Sequence, residues 1–244
     1  MIILASDLDG TLLFNDVPGQ VKKEDIEAIK KFQNNGNLFG VCTGRPIGDV
    51  KIDAIDIDFY VVSSGAVVLD KNRQVISEEL IDEDIVFAIY NKYIDHVYVC
   101  VHGDGKLYNT KDARFNLNTT RIDAVEQLKG HHLYGLSIDA LDEKRAKEIT
   151  DEINEQFGNY VDAYQNIDCV DIAKKGCSKG SGLKIIKEKM NLNEICGIGD
   201  SFNDLPMLKY VDKAFTFNSS NQQVKDHADY LVDSLNEAIN LLMK

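Results

Sequence analysis

The chain has 244 residues, enough for one large domain or two modest ones. Hydrophobic residues make up 44% and charged residues 27%, which supplies a packed core and excludes a disordered chain. The formal net charge of −13 opposes non-specific binding to nucleic acid or anionic lipid, so neither is an expected partner. A phosphorylated ligand is still allowed, because a local cation or metal overrides the global field. The N-terminus lacks the basic and long apolar regions of a signal peptide, and no apolar stretch has the length of a membrane span. Five scattered cysteines (Cys42, Cys100, Cys169, Cys177, Cys196) form no CxxC pair and read as structural thiols. The expected compartment is a reducing cytoplasm.

Along the chain, Ile2–Ser6 is a short apolar run that ends at acids. Lys22–Asn35 carries Ile26, Ile29 and Phe32 at helical spacing, and Asn35-Gly36 stops it. Leu38–Cys42 and Phe59–Ser63 are apolar throughout, as strands covered on both faces are. Ala66–Leu69 and Gln74–Ser77 flank a hairpin turn at residues 70–73. The middle has a different pattern. Helices are expected at Asp82–Tyr93, Asp112–Leu117, Asp123–Leu128 and Asp142–Phe157, with strands at Val97–Val101, Lys106–Asn109, Leu133–Ile138, Tyr160–Tyr164 and Cys169–Ala173. The tail returns to alternation: helix Lys179–Lys189, strand Ile195–Ile198, helix Asn203–Tyr210, strand Ala214–Phe217. A last helix is opened by Ser234 with Glu237 at capping-box spacing. The fold class is therefore α/β, a Rossmann-like parallel-sheet core of residues 1–81 and 176–244 interrupted by an α+β module of residues 82–175.

Four segments carry chemistry. Asp7-Leu8-Asp9-Gly10-Thr11 follows the first strand, where open α/β sheets bind ligands, and two carboxylates at this spacing can divide acid and base roles. Thr43-Gly44-Arg45 follows the second core strand and offers a hydroxyl and an amide to a phosphoryl oxygen. Lys179 opens a helix, where a point charge joins the positive end of the dipole. Asp200, Asn203 and Asp204 follow the strand Ile195–Ile198 and suit a hard cation such as Mg²⁺. Singly, each segment also reads as a capped turn, a surface lysine or a solvated helix start. In order on one sheet edge, they form a set.

That set resembles the haloacid dehalogenase superfamily, and Thr-Gly-Arg with the long insertion resembles its Cof-type sugar-phosphatase branch. The resemblance implies Asp7 as nucleophile, Asp9 as acid/base, and Thr43 and Lys179 as stabilisers of the transferred group. Substrate contacts fall on Thr43, Gly44, Lys179 and Asn203. It implies Mg²⁺ held by Asp7, Asp200 and the backbone carbonyl of Asp9, with Asp204 behind them. The implied activity is hydrolysis of a small phosphorylated metabolite, a sugar phosphate, through an aspartyl-phosphate, with the module of residues 82–175 choosing the substrate. Candidate groups there are His102, Asp104, Asn116, Asn118, His131, Tyr134 and Tyr164. The alternatives are a phosphomutase of the same superfamily and a non-catalytic regulator that binds a phosphate ligand. Two departures from the family pattern stand out: Ser64-Gly65-Ala66 in place of Asn-Gly-Ala, and Asp233-Ser234-Leu235-Asn236 before the last helix. Oligomeric state is left open.

Overall fold

The computed structural model describes residues 1–14, 20–111, 118–191 and 194–244. The expected helix at 112–117, and Asn116 with it, lies outside the described residues. In chain order the elements are β1 (Ile3–Ser6), α1 (Lys23–Asn34), β2 (Leu38–Cys42), β3 (Phe59–Val62), β4 (Val67–Asp70), β5 (Val75–Glu78) and α2 (Glu83–Tyr93). Then come β6 (Tyr98–Gly103), β7 (Lys106–Asn109), β8 (Thr119–Arg121), β9 (Leu133–Asp139), α3 (Glu143–Phe157), β10 (Val161–Asn166) and β11 (Cys169–Lys174). The chain closes with α4 (Lys179–Lys189), β12 (Ile195–Ile198), α5 (Leu205–Leu208), β13 (Lys213–Phe217), α6 (Gln222–Lys225), β14 (Tyr230–Val232) and α7 (Leu235–Leu242).

Eight strands form one sheet in the order β14-β13-β12-β1-β2-β3-β4-β5. The six from β14 to β3 are parallel, and β4 and β5 add an antiparallel hairpin. The strands are short and apolar because both faces are covered. Leu4 packs with Ile29 and Phe32 of α1 and Leu235 and Ile239 of α7, whereas Ile3 and Ala5 pack with Leu183 and Ile186 of α4. From β1 the chain moves one way to β2 and β3, and from β12 the other way to β13 and β14. The carboxyl edge between β1 and β12 is thus a topological switch point, the place where such sheets form a crevice.

The second sheet runs β10-β11-β9-β6-β7-β8 and is mostly antiparallel. Its strands alternate. Val99, Val101, Leu136, Ile138, Val170 and Ile172 form a core with α2 and α3, while Tyr98, Cys100, His102, Ser137, Asp171 and Asn166 occupy the other face. Asp104-Gly105 forms the tight turn of the β6–β7 hairpin, with φ of 47° and 75°.

Several elements differ from the sequence reading. The segment Asp123–Leu128 is a single 3₁₀ turn, Val125–Leu128, because only Val125 and Leu128 are buried. The helix expected at Asn203–Tyr210 splits into a 3₁₀ turn at Phe202–Asp204 and the short α5, with Pro206 in its first turn. The strand β14 and helix α6 are too short to show a period. Ser178 caps α4: its side chain accepts from Ser181 N, and the Ser181 hydroxyl accepts from Ser178 N. Ser178→Ala should therefore cost about 1 kcal/mol, read as a lower urea midpoint with an unchanged slope.

Candidate active site

Asp7 stands one residue beyond β1, and its amide donates to Ile198 O of β12, which holds the loop in the crevice. Lys179, the first residue of α4, is 1% exposed. Its Nζ donates to Asp7 Oδ1 and to Asp204 Oδ1, each at 2.6 Å. Asp204 Oδ2 accepts from Asp200 N and Ser201 N, so both of its oxygens are engaged. Asp204 therefore positions Lys179 and the loop after β12. Asp200 Oδ1 accepts from Thr11 Oγ1 at 3.0 Å. Gly10 approaches so closely, at φ +87°, that a Cβ would lie 2.6 Å from Asp200 Oδ2.

The charges do not balance. Three carboxylates, Asp7, Asp200 and Asp204, place ligand atoms within 4.8 Å of one another, against one ammonium. Burial and then Asp204 push the Asp7 carboxyl well above the usual range, with Lys179 pulling the other way. Burial and Asp204 push Asp200 up to about 6. Burial would lower the Lys179 ammonium, but Asp204 and Asp7 outweigh it and raise it. Fully ionised, the cluster would carry two negative charges beyond its own cation, the complement of one hard divalent ion with oxygen ligands. The donor set fits such an ion.

Asp9 has a different setting. Arg45 grips both of its oxygens, Nη2 on Oδ1 at 2.6 Å and Nε on Oδ2 at 2.7 Å. Its side chain therefore stands apart from the acid cluster. Thr43 is buried just beyond β2, and its Oγ1 accepts from Arg45 N. Beyond β3, Ser63, Ser64 and Gly65 follow one another at positive φ, a strained turn whose Ser63 amide donates to Arg45 O. Asp7, Asp9, Thr43, Gly44 and Asn203 line a cavity of about 150 Å³ that reaches the polar face of the second sheet.

Two residues on that face escaped the sequence reading or were undervalued by it. Asp171 of β11 is buried, and burial raises its carboxyl. It accepts from Asn203 Nδ2 at 3.0 Å, Ser137 Oγ at 3.2 Å and Asn166 Nδ2 at 3.4 Å. A lone acid in the apolar run Cys169–Ala173 was the available signal. His102 donates or accepts at Nε2 with Ser137 Oγ at 2.9 Å, while its Nδ1 is buried without a partner. Burial lowers its imidazole to about 4, so it is neutral at pH 7. Of the other groups considered, Tyr164 donates to Cys177 O and Tyr134 to Glu78 Oε2, both near the crossings between the sheets. His131 pairs with Asp104 at 2.6 Å. None of these three, nor Asn118, lines the cavity as described.

The chain thus has a doubly wound α/β core whose carboxylates, lysine and threonine meet at one strand edge, facing a second sheet. The chain belongs to the haloacid dehalogenase-like hydrolase family, whose model matches residues 4–239. Relatives that it matches are named phosphatase or putative phosphatase. It is similar to a 5-amino-6-(5-phospho-D-ribitylamino)uracil phosphatase of Bacillus subtilis, 25% identical over 97% of this chain and 94% of that one. Its fold is similar to a haloacid dehalogenase-like hydrolase from B. subtilis, with TM-score 0.87, 20% identity and coverage of 100% and 98% of the two chains. A subclass IIB sugar phosphatase of the superfamily matches with TM-score 0.82 and 20% identity over 100% and 99%.

The charge excess sets a pH dependence. In the metal-free protein Asp200 titrates near 6, above its unfolded value of 3.8. Its contribution to stability is then complete below the unfolded value and is lost as pH rises through about 6. A divalent ion needs the deprotonated form, so its binding strengthens over the same window. The rise in Tm on adding Mg²⁺ should therefore be small at pH 5 and grow between pH 5 and 7. A shift independent of pH in differential scanning fluorimetry would contradict this assignment.

Proposed function

We propose that the chain is a Mg²⁺-dependent phosphatase of small phosphate monoesters, sugar or polyol phosphates, acting through an aspartyl-phosphate on Asp7. The observation that carries the reading is the buried Lys179 bridge between Asp7 and Asp204, 2.6 Å on each side, beside Asp200. Such a bridge fixes one oxygen of Asp7 and orients the other. It also sets a cation against the oxygens of an incoming phosphoryl group.

Asp7, Asp200 and the backbone carbonyl of Asp9 would hold the ion, and its charge lets an anionic ester approach an anionic nucleophile. An Asp7 oxygen bonds to phosphorus as the bond to the leaving oxygen breaks, and Asp9 gives that oxygen a proton. Water then attacks the acyl phosphate, Asp9 takes a proton from it, and phosphate departs with Asp7 restored. To act as the acid, Asp9 must open one of its two bonds to Arg45 and carry a proton on the freed oxygen before it meets the leaving group. Arg45 thus sets the place from which Asp9 swings. Lys179, Thr43 and the amide of Gly44 meet the charge that spreads over the phosphoryl oxygens. Residues 82–175 would act as the cap that covers the site and reads the leaving group. The ribityl phosphate named for the B. subtilis relative is a phosphorylated polyol and supports that class.

Asp7→Asn should abolish turnover of a generic aryl phosphate while leaving the circular dichroism spectrum unchanged. EDTA should stop the native enzyme and Mg²⁺ restore it. Trapping of a phospho-enzyme on another residue, or full activity in EDTA, would overturn the proposal. Lys179→Ala should lower kcat about a hundred- to a thousandfold, the usual result of losing one preorganised contact. It should also lower Tm, because Asp7 and Asp204 lose their buried partner. An effect confined to KM would make Lys179 a substrate-gathering group only.

A further inference from the structure

The second sheet offers the site one face, and the register of its strands decides what stands there. Cys100 of β6 faces Ser137 of β9, Ser137 faces Asp171 of β11, and Asp171 faces Tyr164 of β10. This row crosses the sheet directly above the core loops. A Cβ built on Gly44 would lie 2.6 Å from Asp171 Oδ2, and Asn203 Nδ2 reaches the same oxygen. Asp171 therefore stands over two residues that flank the phosphoryl position in the proposed reaction.

The three donors to Asp171 are two amides and a hydroxyl, all neutral. They solvate the carboxylate without cancelling its charge. Ser137 Oγ donates to Asp171 Oδ1, so its lone pair receives the Nε2 proton of His102. The neutral imidazole is then the Nε2–H tautomer, and its unpartnered Nδ1 is a buried acceptor. At the Cys100 end of this row, Tyr98, Cys100 and Leu107 form a small apolar cluster that also lines the cavity. A ligand in the cavity thus meets acceptors on one side and apolar surface beside them.

We infer that Asp171 is the specificity-determining residue of this enzyme, receiving a hydroxyl or amino donor next to the ester bond and rejecting leaving groups that carry an acid there. This rests on the phosphatase reading above. The physical ground is that a buried carboxylate with a donor hydrogen-bonds strongly, whereas a second anion at the same place has no screening water between the two charges. A hydroxylated monoester satisfies Asp171, and a phosphocarboxylate or a vicinal bisphosphate opposes it. A substrate that lacks the donor forgoes that hydrogen bond.

The test compares kcat/KM for four esters on the full chain with Mg²⁺: glycerol 1-phosphate, 3-phosphoglycerate, ethyl phosphate and p-nitrophenyl phosphate. In the native enzyme the glycerol ester should exceed both the phosphoglycerate and ethyl phosphate by at least about tenfold. In the isosteric D171N variant, the ratio of glycerol ester to p-nitrophenyl phosphate should fall about tenfold or more. The ratio of phosphoglycerate to p-nitrophenyl phosphate should rise by a similar factor, an increase that mere loosening of the fold would not produce. Ser137→Ala, which removes one donor to Asp171 and keeps its charge, should leave the phosphoglycerate ratio low. Selectivity ratios unchanged in D171N would overturn the inference while p-nitrophenyl phosphate turnover kept the phosphatase reading intact. Absence of all turnover by the native enzyme would remove that reading and this inference together.

Discussion

Lys179 is held between Asp7 and Asp204 in a space from which water is excluded, and this ion cluster sets the terms for the rest of the molecule. An ammonium that is 1% exposed is tolerable only with full compensation. Its two partners lie 172 and 25 residues away in the chain. Only a parallel sheet that sets β1 beside β12, with α4 packed across one face, brings the three together. The compensation then overshoots, because Asp200 adds a third carboxylate. An excess of negative charge in a dry crevice raises the carboxyls and creates demand for a divalent ion. Stability and the proposed chemistry are coupled at this point: the arrangement is costly for the bare fold, and a bound cation and phosphate would offset that cost.

The second sheet is tied to the core at its rim and over the site. The two chain crossings follow β5 and β11, where Lys174 meets Glu79 at 2.5 Å and Ile81 N donates to Leu133 O. Gly48 N donates to Gly105 O, so the β6–β7 turn rests on the loop after β2. Asn203 and Asp171 join the two parts over the site itself. Each tie is a hydrogen bond or an exposed ion pair, while the large apolar clusters stay within one sheet or the other, with Tyr134 and Ala173 as the second sheet's entries into the core cluster. Such contacts are weak individually and suit a cover that opens and closes.

Among the described residues, the core was largely legible in the sequence. Short runs apolar throughout, such as Leu38–Cys42 and Ile195–Ile198, are strands buried on both faces, and Lys179–Lys189 is a helix at the bounds its spacing implies. Each of the four chemical segments stands just beyond a strand or at a helix start, positions that local pattern identifies. Elements shorter than a helical turn or two, such as α6 and the 3₁₀ turn at Val125–Leu128, were not legible, because period needs length.

The side-chain partnerships belong to tertiary structure alone. Local spacing cannot tell that Arg45 would take both oxygens of Asp9, or that Asp204 would spend both of its own on Lys179 and the 200–201 backbone. Nor can it tell that Asp171 would stand on the face opposite α2 and α3, over Gly44 and Asn203. By itself the sequence determined the order of the longer strands and helices, the split between a parallel and a hairpin-rich part, and the residue types at the crevice. These follow from periodicity and turn chemistry, which act over a few residues. Which carboxylate meets which cation was decided only when sheet register brought distant segments within 3 Å, since electrostatic and hydrogen-bond energies depend on distance and burial that local order does not carry.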